Sequence, residues 1–142
     1  MKKFQTRTEE GKHMWFFWFM FFCNMLYSLT MLIGGWFMWK HCPKSINSVC
    51  GYRSRRSMMN LDTWKFAHEN CGKRWWRIGW IMLIATILIQ IPFYEKDESM
   101  IGTLGLILCV LECTILLISI IPTENALKKN FDDDGNRKQH PS

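Results

Sequence analysis

Residues 14–39 read MWFFWFMFFCNMLYSLTMLIGGWFMW, a stretch without one charged side chain. As a helix it rises about 39 Å, at ~1.5 Å per residue. A bilayer's hydrocarbon core is about 30 Å thick, so this segment can cross it with tilt. Two further apolar blocks follow. Residues 78–94 are uncharged, and Trp75, Trp76 and Arg77 stand just ahead of them. Tryptophan suits the headgroup level and arginine can snorkel to it, so this span begins near residue 75. Residues 100–121 carry a single acid, Glu112. Mean hydropathy over the whole chain is close to zero, yet the apolar residues are gathered in blocks. A soluble chain disperses them at periods of 2 or 3.6. The expected fold is therefore an all-α integral membrane protein, one membrane domain over 1–142. Its three transmembrane helices lie at about 14–39, 75–94 and 100–121, and flexible tails are expected at 1–12 and 132–142.

The first block follows a basic leader (Lys2, Lys3, Arg7, Lys12), as a secretory signal does. Its apolar run is far longer than a signal's, and no A-x-A-like site follows, so we read it as retained. Of six cysteines, Cys23, Cys109 and Cys113 fall in spans and act there as small apolar residues. Cys42, Cys50 and Cys71, with His41 and His68, do not form the paired spacing of a zinc site. No metal or other cofactor is expected.

Charge sets the expected topology. Residues 40–77 hold Lys40, Lys44, Arg53, Arg55, Arg56, Lys65, Lys73, Arg74 and Arg77 against Asp62 and Glu69. The tail carries Lys128, Lys129, Arg137 and Lys138, whereas residues 95–99 are acidic apart from Lys96. Basic loops stay inside, so the first loop and the C-terminus are expected in the cytoplasm and the N-terminus outside. The chain is thus expected as a multi-pass membrane protein.

The first loop contains more than a linker. In 61–75, LDTWKFAHENCGKRW, the residues Leu61, Trp64, His68, Cys71 and Trp75 recur at helical spacing. Asp62, Lys65, Glu69 and Lys73 lie toward the other face, with Lys65 and Glu69 as an i,i+4 pair. This predicts an amphipathic helix over 61–73, lying at the cytoplasmic interface, capped by Asn60 and weakened by Gly72. Three arginines at Arg53, Arg55 and Arg56 suit anionic headgroups. The basic run is short and tethered, so direct nucleic-acid binding is not expected.

Glu112 is the costliest residue in the spans, at about 3 kcal/mol for a charge at mid-bilayer. Gly102, Gly105, Cys109, Cys113 and Ser119 share its side of the helix and let a neighbour approach. Glu112 is expected to point inward, toward Asn24 or Thr86. It serves there either as a protonated structural donor or as a ligand or proton site. Pro122 ends the third span, and a short helix over 123–129 follows. The DDDGN run at 132–136 lacks the glutamate of a calcium loop and reads as a solvated acidic turn. No nucleophile, base and oxyanion set can be assembled, so no enzyme is expected.

The segment GYRSRRSMMN at 51–60, then TWKFAH at 63–68 and GK at 72–73, closely resembles the signature of the SdpI family of small bacterial membrane proteins. Gly51, Tyr52, Arg53, Ser54, Ser57, Met58, Asn60, Thr63, Trp64, Ala67, His68, Gly72 and Lys73 carry the match. The tail at 124–135 is similar too, which extends the likeness over about 50–135. The resemblance implies a helical membrane module. The family's founding member, which is longer, protects a producing cell from a secreted toxic peptide and is credited with holding a small repressor at the membrane. By resemblance, this chain is expected to act in immunity or signalling. A toxic peptide would be met outside, and a cytoplasmic regulator or anionic lipid at Gly51, Tyr52, Arg53, Arg55, Arg56, Ser57, Asn60, Trp64, His68 and Lys73. The alternative is a small transporter or accessory subunit that uses intramembrane Glu112, with Asn24 as the other intramembrane polar candidate.

Overall fold

The computed structural model describes residues 2–47, 49 and 51–138, with side chains from Gly11 onward. Cys50 and residues 139–142 lie outside the described residues. The chain forms α1 (Lys2–Lys40), α2 (Leu61–Gln90), a 3-10 turn (Ile91–Phe93), α3 (Glu98–Ile118) and α4 (Ile121–Asn130). Three of these helices are long and apolar enough to cross a membrane. They run up, down and up, so the chain enters α2 and leaves α3 at the same end of the bundle as Lys40. This end, which carries the basic segment, is called the basic end below.

Exposure is inverted relative to a soluble bundle. Trp15, Phe22, Ile33, Ile81, Leu88, Leu106 and Leu117 are each more than half exposed around the outside. Asn24, Ser28, Thr86, Gln90 and Glu112 are buried between the helices. Lipid is as apolar as leucine, so packing and hydrogen bonds hold such a bundle rather than apolar burial. The closest approach is between α1 and α2. A Cβ on Gly72 would lie 2.6 Å from the Trp39 amide nitrogen, and one on Gly35 would lie 2.7 Å from that of Trp76. Both neighbours are backbone, so only glycine allows this crossing. α1 also packs on α3, where Gly105 faces Met20 and Asn24.

α2 is one helix from Leu61 to Gln90. No separate interfacial helix is seen over 61–73: those residues are the first turns of α2, continuous with the span. Gly72 is where α1 crosses rather than a weak point. The stripe of Trp64, His68 and Cys71 is fully buried, because the chain's own loop and α4 cover it in place of lipid. The ion pair also differs from expectation. Glu69 bonds Lys73 at 2.5 Å, with the acid N-terminal to the base, the better i,i+4 order.

Around the last turns of α1 lies a small core of Met38, Tyr52, Ala67, Cys71, Leu127 and Phe131, flanked by Phe66, Trp75 and Ile120. α4 supplies one side of it. The break before α4 falls at Ser119 and Ile120, where Pro122 cannot donate to a continued helix. Ser119 Oγ accepts from Trp75 Nε1 at 2.9 Å, which ties the break to α2.

Asn60 caps α2 as expected. Its side chain accepts from the amides of Asp62 and Thr63, and Thr63 Oγ1 accepts from the Asn60 amide. Its Nδ2 also donates to the Gly135 carbonyl at 2.7 Å. Residues 131–138 thus have fixed partners. Arg137 forks onto Asp62 at 2.6 and 2.8 Å, and Arg56 meets Asp133 at 2.8 Å. Within the turn, the amides of Asn136 and Asp134 hold the Asp132 carboxyl below the usual carboxylate range. Asn60→Ala is expected to cost about 1 kcal/mol for the lost cap. It should also speed tryptic cleavage at Arg137 and Lys138, which limited proteolysis would read.

Candidate functional site

The signature segment folds around α2 at the basic end. Gly51 has φ +105°, a left-handed conformation that glycine adopts without strain. It also has no room for a side chain, since a Cβ there would fall 2.0 Å from His68 Nε2. This close fit brings the Tyr52 amide to His68 Nε2 at 3.0 Å. The other ring nitrogen, Nδ1, contacts the Trp64 carbonyl at 2.8 Å. Nε2 accepts, so Nδ1 must carry the proton that is donated to the carbonyl. His68 is fully buried, and both of its nitrogens are committed to backbone.

Ser54 and Ser57 bond each other's amides at 2.8 and 3.1 Å, closing the turn after Arg53. Ser57 Oγ also donates to the Tyr52 carbonyl at 3.2 Å. Trp64, fully buried, donates from Nε1 to the Pro43 carbonyl at 3.0 Å. The Tyr52 hydroxyl donates to Glu124 Oε1 of α4 at 2.6 Å. Burial, with Glu124 adding to it, pushes the Tyr52 phenol well above its ordinary range, so it stays a neutral donor.

The ten loop residues singled out from the sequence therefore divide. Gly51, Tyr52, Ser57, Asn60, Trp64 and His68 build the cap itself. Arg56 is held by Asp133, and Lys73 by Glu69. Arg53 and Arg55 are exposed and have no ion-pair partner among the described residues. Arg53 lines a cavity of about 450 Å³ between the loop, the last turns of α1 and the α3–α4 break. Tyr52, Ser54, Trp75, Ile120 and Glu124 complete its wall. The sequence reading missed Glu124 as a site residue. Its partner is 72 positions away, and no local pattern could have joined them.

The intramembrane residues form a second polar locus. Glu112 points inward, 3% exposed, and Glu112 Oε1 accepts from Thr86 Oγ1 at 2.5 Å. Asn24 is buried beside Gly105, and no bond joins it to Glu112. Glu112 Oε2, Asn24 Nδ2, Ser28 Oγ and Gln90 Nε2 are buried without a partner.

A bundle of three apolar helices, closed at its basic end by a hydrogen-bonded cap, defines a small helical membrane module. Residues 44–123, more than half of the chain, match the model of the SdpI/YfhL protein family, and the protein belongs to that family. Searches of curated proteins and of solved structures returned no match.

Proposed function

We propose that this is a non-enzymatic immunity or signalling protein of a bacterial cell membrane. Its N-terminus faces outward, and its basic end lies in the cytoplasm. The observation that carries this reading is the family match over a segment that folds as a built cap, with Arg53 and Arg55 without an ion-pair partner among the described residues. In this reading the outer face meets a toxic peptide, and the cap meets a cytoplasmic regulator or anionic headgroups. The full commitment of His68 to backbone supports a non-catalytic cap.

The test is survival of a toxin-sensitive strain that expresses the chain, challenged with the antimicrobial peptide its natural host secretes. Protection is expected in the wild type. Failure of the well-folded wild type to protect overturns the immunity role. Loss of protection on Arg53→Glu with Arg55→Glu, in a variant that still reaches the membrane, assigns signalling to the cap.

Four buried polar atoms without a partner, on Glu112, Asn24, Ser28 and Gln90, favour a second reading, a transporter or accessory subunit that works through the Glu112 carboxyl. Glu112→Gln keeps an acceptor for Thr86 and is expected to leave thermal unfolding in detergent nearly unchanged. Abolished activity in a folded Glu112→Gln protein would select this second reading over the first.

A further inference from the structure

We propose that the cavity between the cap and the bundle is a binding site for a phospholipid whose headgroup carries a phosphate and a primary ammonium but no carboxylate, that is, phosphatidylethanolamine. The inference rests on the reading of the three apolar helices as membrane spans and is independent of any immunity role.

The position of the cavity comes first. Phe37 and Met38 are in the last turns of α1, and α1 ends at Lys40. Trp75 is on α2 at the level of Gly34 and Gly35, and Arg74 and Arg77 flank it. Tryptophan beside arginine and lysine marks the headgroup level of a membrane. A cavity there is open to lipid rather than only to water, and Phe37 is 39% exposed at its edge.

Its walls are of two kinds. Phe37, Met38, Trp75 and Ile120 present apolar surface from the bundle side, fit for glycerol and the start of an acyl chain. Arg53 and Glu124 line it from the loop and α4. Arg53 has no carboxylate partner among the described residues, and guanidinium matches phosphate through paired N–H donors. Glu124 receives the Tyr52 hydroxyl on Oε1, and a carboxylate has lone pairs for more than one donor. A ligand with only negative charge would meet Arg53 but be repelled by Glu124. A phosphate joined to a primary ammonium satisfies both, because three N–H donors can bond a carboxylate. A quaternary ammonium has none. The volume, about 450 Å³, is within the ~300–1,000 Å³ of small-molecule sites and takes a headgroup with its glycerol.

The experiment is native mass spectrometry of the full chain in detergent, with phosphatidylethanolamine, phosphatidylcholine and phosphatidylglycerol added in competition. One phosphatidylethanolamine per chain is expected, retained about tenfold better than either competitor. Arg53→Ala should lower retention of all three lipids about tenfold. Glu124→Gln, which keeps an acceptor for Tyr52, should remove the preference over phosphatidylcholine. Thermal unfolding of each variant checks the fold, and where Arg53→Ala unfolds, Arg53→Gln, which removes the charge but keeps much of the side chain, takes its place with the same expected loss. Equal retention of the three lipids, preference for phosphatidylglycerol, displacement of lipid by a peptide, or an Arg53→Ala protein that retains lipid as the wild type does would each overturn the proposal.

Discussion

Trp64→Ala is expected to lower the unfolding free energy by about 3–5 kcal/mol, the range for truncating a large aromatic in a close-packed core. Trp64 is the largest fully buried side chain among the described residues. Its ring lies 4.1 Å from that of His68, centroid to centroid. Its loss opens a cavity beside the histidine that seats Tyr52, and it removes the indole donor from the Pro43 carbonyl, which keeps only the weaker Cys42 thiol at 3.6 Å. Trp64→Phe separates the two effects. It keeps most of the volume and gives up one neutral hydrogen bond, about 1 kcal/mol. Thermal or denaturant unfolding in a fixed detergent would rank the wild type above Trp64→Phe, with Trp64→Ala lowest. An alanine variant as stable as the wild type would mean that the cap does not contribute to the core as its burial indicates.

Gly72→Leu carries the other large effect, and it acts on the bundle rather than the cap. Even the first carbon of a side chain at Gly72 meets backbone: the Trp39 amide at 2.6 Å and the Gly35 carbonyl at 2.7 Å. Overpacking usually costs about 1–3 kcal/mol when side chains can give way. Here they cannot, so α1 must separate from α2. The expected result is little folded protein after extraction, with Gly72→Ala intermediate. Gly11→Ala is the control, since nothing lies within 4 Å of that position, and it should be neutral or slightly stabilising by helix propensity.

The residues that declared themselves in the sequence did so through local rules. The three spans follow from uninterrupted apolar runs, and Pro122 marks the end of α3 where the lost amide requires it. Asn60 caps α2 because its neighbours at Asp62 and Thr63 are within one turn. Glu112 faced inward as its cost in lipid demanded, and Thr86, one of two candidates, proved to be its partner. The features that stayed hidden depend on sequence-distant contacts. A stripe of Trp64, His68 and Cys71 indicates a face to be buried but not what buries it. Lipid, a partner and the chain's own α4 give the same pattern, and only the structure identifies α4. The same holds for Arg137 on Asp62, 75 residues apart, and for Tyr52 on Glu124. The cavity at the basic end is legible only after all of these contacts are known.

The Tyr52–Glu124 bond also orders events during synthesis. Seventy-two residues separate the two partners, and a ribosome adds about 5–20 residues per second. Tyr52 is therefore made about 4–14 s before the glutamate that receives its hydroxyl. Throughout that interval α2 and then α3 are being delivered to the membrane, while the loop ahead of α2 has no α4 to rest on. The cap is thus the last part of the molecule to close. A nascent chain halted before Glu124 would hold its spans with the basic end still open, and a C-terminal fusion would burden the same step that completes the fold.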